Sequence, residues 1–198
     1  ARCVSACVEG IHRCAGRCVG DADAVVSVGL EEAVVDAVVG DVESLAAGEW
    51  DRERYIGRQL QGKKLGLIGF GQVGQLVAKR AQAFGMDVIV YDPYISEEIG
   101  RRLGVLLVDL EDIYKQAELI SLHLPLNDEN RGLINAGALS QMKKGVILVN
   151  SARGALVDQD ALAAALKSGH VHAAAVDVFP QEPPLENPLI GLPNVLHT

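Results

Sequence analysis

The chain has 198 residues, a length that suits one compact domain, or one domain with part of another. It is 49% hydrophobic and 22% charged, too apolar for a disordered chain, and its net charge of −8 leaves no basic surplus to neutralise phosphates, which excludes nucleic-acid binding as the main role. No apolar run reaches membrane-spanning length, and the start has no basic stretch followed by an apolar one, so a cytoplasmic protein with no membrane partner is expected.

Cysteine is confined to the first 18 residues, as Cys3, Cys7, Cys14 and Cys18. A secreted disulfide scaffold would spread its cysteines through the fold. Four thiolates are enough for a tetrahedral zinc site, but the spacing C-x3-C-x6-C-x3-C is looser between partners than a zinc knuckle. The plain expectation is a terminal segment with free thiols and no metal. From Leu30 to Ala47 the pattern changes. Val34, Val35, Val38, Val39, Val42 and Leu45 recur at helical spacing, Glu31 and Glu32 stand at the favourable end of the dipole, and Gly48 is the expected stop. Residues 1–48 are therefore expected to form an atypical N-terminal segment, and 49–198 a separate domain.

From Lys64 onward short apolar runs alternate with helical stretches. Strands are predicted at 65–69, 87–91, 105–108, 118–123, 146–150 and 172–177. Helices are predicted along 73–84, 96–103, 110–116, 136–142 and 159–167, the last with Asp158 as N-cap and Gly169 as stop. Alternation of this kind, with few aromatics (4%) and many Val, Ala and Leu, predicts an α/β fold. The expected architecture is a Rossmann-type, doubly wound parallel sheet with helices on both faces.

The chemistry gathers at the first strand–helix junction, where Gly69-Phe70-Gly71-Gln72-Val73-Gly74 reads G-x-G-x-x-G. The pattern alone is weak in a chain with 21 glycines. Its context makes it specific, because it follows a strand, opens a helix, and is followed by a second strand ending in an acid, Asp92. Gly69 permits a tight turn, Gly71 lets backbone approach a pyrophosphate, and Gly74 lets helix and strand pack closely. The helix start offers free N–H groups to phosphate. The Asp92 carboxylate can accept from ribose hydroxyls and repels a 2′-phosphate, and neither Pro93 nor Tyr94 brings a compensating cation. NAD is thus expected over NADP. A Walker A loop and a serine-hydrolase nucleophile elbow are both absent.

With these residues in place, residues 45–198 resemble the NAD-binding domain of the D-isomer-specific 2-hydroxyacid dehydrogenases, most of all their phosphoglycerate dehydrogenase branch. The resemblance rests on G-E-W-D-R (48–52), the glycine block (62–74), Y-D-P-Y (91–94), S-L-H-L-P-L (121–126), V-N-S-A-R-G-A-L-V-D (149–158) and A-V-D-V-F-P-Q-E-P (175–183). It implies that Arg153 orients the substrate, its guanidinium fork suited to a 2-hydroxy or 2-keto acid carboxylate. It implies that Glu182 pairs with a catalytic histidine and stabilises its imidazolium form. It further places Gln72 and Val73 on the pyrophosphate and Leu124, Pro125 and Asn127 in a cofactor-lining turn. Ser151, Ala152 and Asp177 fall near the nicotinamide. The family's histidine lies in a Thr-Pro-His-x-Gly sequence, which these 198 residues do not contain. His12, His123, His170, His172 and His197 do not match it. His123, at a strand end before a turn, reads as a hydrogen-bonded structural residue. The expectation is an NAD-binding domain that stops short of the catalytic histidine, binds NAD with little or no turnover, and dimerises as the family does. A non-catalytic, NAD-responsive interaction module of the corepressor kind is the alternative, and retention of Arg153 and Glu182 favours enzyme ancestry.

Overall fold

A computed structural model describes Gly48 and residues 59–197. The cysteines and the Val-rich stretch therefore lie outside the described residues, while Gly48 sits in an exposed turn at φ +81°. Every regular element described falls in one compact unit, Arg58–Thr198.

The elements run β1 (Lys64–Ile68), α1 (Gln72–Ala83), β2 (Asp87–Tyr91), α2 (Glu97–Arg102), β3 (Leu106–Leu107), α3 (Leu110–Gln116) and β4 (Leu119–Leu122). They continue with α4 (Ala136–Gln141), β5 (Val146–Asn150), a 3-10 turn (Gly154–Leu156), α5 (Gln159–Lys167), β6 (Val171–Val176) and β7 (Val195–His197). The strands form one all-parallel sheet in the order β3-β2-β1-β4-β5-β6-β7. This is the doubly wound arrangement with one strand added at the far edge. Because β1 pairs with both β2 and β4, the chain changes direction of winding between β1 and β4, and right-handed crossovers then send the helices to opposite faces.

The core follows from that winding. Central strands covered on both faces need apolar side chains in continuous runs, and Leu65, Leu67, Ile68, Ile120, Leu122, Val146 and Leu148 are buried accordingly. One large cluster joins the strands to α3, α4 and α5 through Ile113, Leu139, Leu162 and Leu166. Val77, Ala78 and Ala81 of α1 are buried outside that cluster. At Gly66 the missing side chain matters, since a Cβ there would stand 2.7 Å from Ile113 Cγ2 and 2.9 Å from Ala117 Cβ. α3 thus lies directly on the backbone of β1.

Caps match the chemistry of the sequence. Ser96, Asn135 and Asp158 each accept a hydrogen bond from a first-turn N–H of α2, α4 and α5. Most predicted elements shift by only a residue or so at their ends, and the structure departs further at two places. The strand expected at 105–108 narrows to Leu106–Leu107, because it is the sheet edge and only Ile89 and Val90 offer partners. β7 was not predicted, and its three residues are drawn into the sheet by pairing with Ala174–Val176. No described helix is long and apolar enough to cross a membrane.

Candidate cofactor and active site

Strand register lines up the site. Tyr91, Ile68, Leu122, Asn150, Val176 and His197 pair in one row across the sheet. The residues one step beyond that row, Asp92, Gly69, His123, Ser151 and Asp177, therefore share its carboxyl-terminal edge. In an open α/β sheet that edge, at the change in winding direction, is where ligands bind.

The glycine turn carries three distinct geometries. Gly69 has φ +95°, and a Cβ there would meet the His123 carbonyl oxygen at 2.5 Å, so it admits no side chain. A Cβ on Gly74 would stand 2.5 Å from the Gly69 carbonyl oxygen, which shows how tightly α1 packs over the turn. Gly71 is the opposite case: beyond its own chain neighbours, no atom of the described residues lies within 4 Å of the position its Cβ would take. The space above Gly71 is open, as a passing pyrophosphate requires.

Gly71 is also the N-cap of α1, which has no side-chain cap and no acidic residue in its first turn. Among the described α-helices it alone lacks both; α3, also without a cap bond, carries Glu111 and Asp112 instead. A 12-residue helix that opens on bare N–H groups beside open space is fitted to an anion.

Asp92 closes the other side. One carboxylate oxygen, Oδ2, accepts from Phe70 N at 2.7 Å, and Oδ1 accepts from Tyr94 N at 2.8 Å. Phe70 itself is fully buried, so its side chain is anchored in the core while its amide is tied to Asp92. Each carboxylate oxygen keeps a second lone pair for a ribose hydroxyl. Gln72 is exposed and Val73 half-buried at the start of α1, while Tyr94 stands exposed beside Asp92.

Beyond β4 the chain passes through His123, Leu124 and Pro125. The His123 ring bonds the buried Ser121 hydroxyl at 2.9 Å, and burial pushes its pKa down to about 4. Asn127 shapes its own turn, its side-chain oxygen accepting from Glu129 N at 3.1 Å and Asn130 N at 2.9 Å. Leu124 packs against the core and Pro125 is exposed.

After β5, Ser151 and Ala152 are half-buried and Arg153 is exposed, with Arg153 Nη1 donating to Ala152 O at 2.6 Å. Asn150, at the strand end, donates from Nδ2 to Arg153 O (3.0 Å) and accepts from Ala152 N (3.1 Å). Gly154 then lets this loop abut the next. A Cβ there would strike the Phe179 carbonyl carbon and Pro180 N, and would stand 2.6 Å from Phe179 Cα. Phe179 in turn donates its N–H to Glu182 Oε1 at 3.3 Å. Backbone contact thus brings the Arg153 loop and the Glu182 loop together. Buried Gln159 donates to Gly154 O and Val157 O, and accepts from Asn187 Nδ2 at 3.3 Å, fixing the far side of the same junction. Asn150, Gly154 and Gln159 were not singled out by sequence: Gly154 and Gln159 act across 25 or more residues, and the side-chain bonds of Asn150 to the next loop follow no spacing rule that marks a site.

The profile of the D-isomer specific 2-hydroxyacid dehydrogenase NAD-binding domain matches residues 33–198. The chain belongs to that family. It is 48% identical over 176 residues to a D-3-phosphoglycerate dehydrogenase of Methanocaldococcus jannaschii, spanning 88% of this chain and 34% of the relative. To a hydroxypyruvate reductase of Thermotoga maritima it is 44% identical, over 88% of this chain and 57% of that protein. The crystal structure of a glyoxylate reductase from Paecilomyes thermophila superposes with a TM-score of 0.75 at 36% identity, covering 89% of this chain and 53% of the other. The chain thus spans between a third and three fifths of the length of these relatives. NAD fits the edge just described: bare helix N–H groups and the gap above Gly71 suit the pyrophosphate, and Asp92 suits an adenosine ribose.

Proposed function

We propose that this chain is the cofactor-binding half of an enzyme that interconverts a D-2-hydroxy acid and its 2-keto acid. The observation that carries the reading is the uncapped start of α1 beside the open space at Gly71, with Asp92 fixed against the turn. NAD, when bound, supplies the hydride acceptor or donor for C2 of the substrate. Gly69, Gly71, Gln72, Val73 and Gly74 hold the pyrophosphate, and Asp92 takes the ribose. Leu124, Pro125 and Asn127 line the cofactor's path, and Ser151, Ala152 and Asp177 border the nicotinamide. Arg153 binds the substrate carboxylate and draws the 2-oxygen into position. In oxidation, the hydroxyl proton leaves to a histidine whose imidazolium form Glu182 stabilises.

That histidine is none of the described four. His123 is neutral and committed to Ser121, and His170 Nε2 pairs with the Leu139 carbonyl at 2.8 Å. His172 is exposed near the opposite end of β6, and His197 ends β7 outside the family's histidine sequence. These 198 residues by themselves are therefore expected to bind NADH and to turn over little. Lost general acid–base help alone lowers the rate by roughly 10²–10⁴. The relatives' names point to small 2-hydroxy or 2-keto acids, with homodimers, a cytoplasmic setting and no nucleic-acid or membrane partner completing the reading. Calorimetric titration with NADH and NADPH tests it. Tight NADH and weak NADPH binding is expected, whereas binding of neither nucleotide overturns it. Brisk NADH oxidation with hydroxypyruvate or glyoxylate would overturn the expectation of low turnover.

A further inference from the structure

The described residues bury few polar side chains: Ser121, Asn150 and Gln159. Asn150 is 2% exposed and ends β5 near the middle of the sheet, between β4 and β6. Its pairing with Leu122 and Val176 already completes the strand. A buried primary amide is not needed for that, and it would be destabilising if its ends were unpaired. Both ends are instead engaged by the loop that follows, Nδ2 by Arg153 O and Oδ1 by Ala152 N. The Asn150 main-chain oxygen also accepts from Asp177 N at 3.1 Å. One residue therefore holds the backbone on both sides of the gap between β5 and β6. The glycine turn lies apart, on β1, with β4 between.

We propose that Asn150 is the positioning residue of the nicotinamide half of the site. Its side chain sets the Ala152–Arg153 backbone beside the ring, while the glycine turn and Asp92 hold the ADP half independently. The proposal rests on the reading of this chain as an NAD-binding unit, and the probes are chosen to separate the two. NADH and ADP-ribose share the ADP half, and only NADH carries the nicotinamide. Calorimetric titration of the unaltered chain and of Asn150→Ala with both ligands is the test. Asn150→Ala is expected to weaken NADH by about tenfold, the scale of one or two net hydrogen bonds. ADP-ribose should stay within about twofold, a split that a general loosening of the fold would not produce. Equal losses for both ligands, or no loss for either, would overturn the proposal and leave the dinucleotide reading standing. An unaltered chain that binds neither ligand would overturn both, and one that binds them equally tightly would overturn the positioning role. Should Asn150→Ala fail to fold, amide hydrogen exchange on the unaltered chain decides. The Ala152 amide, which the Asn150 side chain accepts from, is expected to be protected before any nucleotide is added, and its exchange at the open-chain rate would overturn the proposal.

Discussion

Gly69 and Gly71 stand two residues apart and give opposite predictions for the same substitution. Gly69→Ala forces a Cβ into a left-handed backbone and against the His123 carbonyl, and is expected to lower stability by about 3 kcal/mol in urea unfolding. Gly71→Ala has φ −67° and open space around it, so stability should change by no more than about 1 kcal/mol. Its NADH affinity should nevertheless fall, because the new methyl occupies the path of the pyrophosphate. A Gly71→Ala chain that bound NADH unchanged would contradict the assignment of that space. His123 gives a prediction in pH. Burial lowers its pKa to about 4, so between pH 6.5 and 4 the unfolded chain binds a proton that the folded chain refuses. Its contribution to stability is complete above about pH 6.5 and is lost as pH falls toward 4, with a span on the order of 3 kcal/mol. His123→Gln is expected to flatten that part of the stability profile, and an unaltered slope would show that another group titrates there.

At the scale of elements, the junction at Gly154 is the most exacting contact. Gly154→Ala must push the 3-10 turn away from Phe179 and Pro180, which is expected to lower stability by about 2 kcal/mol and to move the Glu182 loop relative to Arg153. Thermal unfolding and the affinity for a 2-keto acid in the presence of NADH would report the two effects. The elements also show what sequence can reveal. The helices at 110–116 and 159–167 and the strand at 146–150 were predicted at the bounds observed, since their apolar spacing is local, as is the Asp158 cap of the second helix. The strand at 195–197 was not, because Val195, Leu196 and His197 carry no pattern of their own and are strand only by pairing with β6. The same division runs through the site. The glycine turn and Asp92 are legible because a tight turn, a helix start and a strand end stand at fixed offsets. Asn150 and Gly154 are not, because one acts through hydrogen bonds of its side chain and the other through backbone 25 residues away.

For the whole molecule, parallel pairing puts one end of every strand at a single edge, so residues spread from 69 to 182 converge without any loop spanning the sheet. Ligand that binds only the folded chain must then stabilise the sheet as a unit. NADH at 100 times its dissociation constant is expected to raise the unfolding free energy by about 2.7 kcal/mol. Coincident shifts in backbone and tyrosine signals would show that the sheet unfolds as one cooperative unit, and a shift in only one would show that it does not.

The two hydrogen bonds that Asp92 accepts have an evolutionary consequence. The carboxylate that on the proposed reading would discourage a 2′-phosphate is also the group that pins the Phe70 amide inside the turn. Removing the charge for the sake of a new cofactor removes an anchor of the old turn in the same step. A change of cofactor preference on this scaffold is therefore a valley to be crossed, with a second substitution supplying a neutral acceptor to Phe70 before a cation nearby becomes useful.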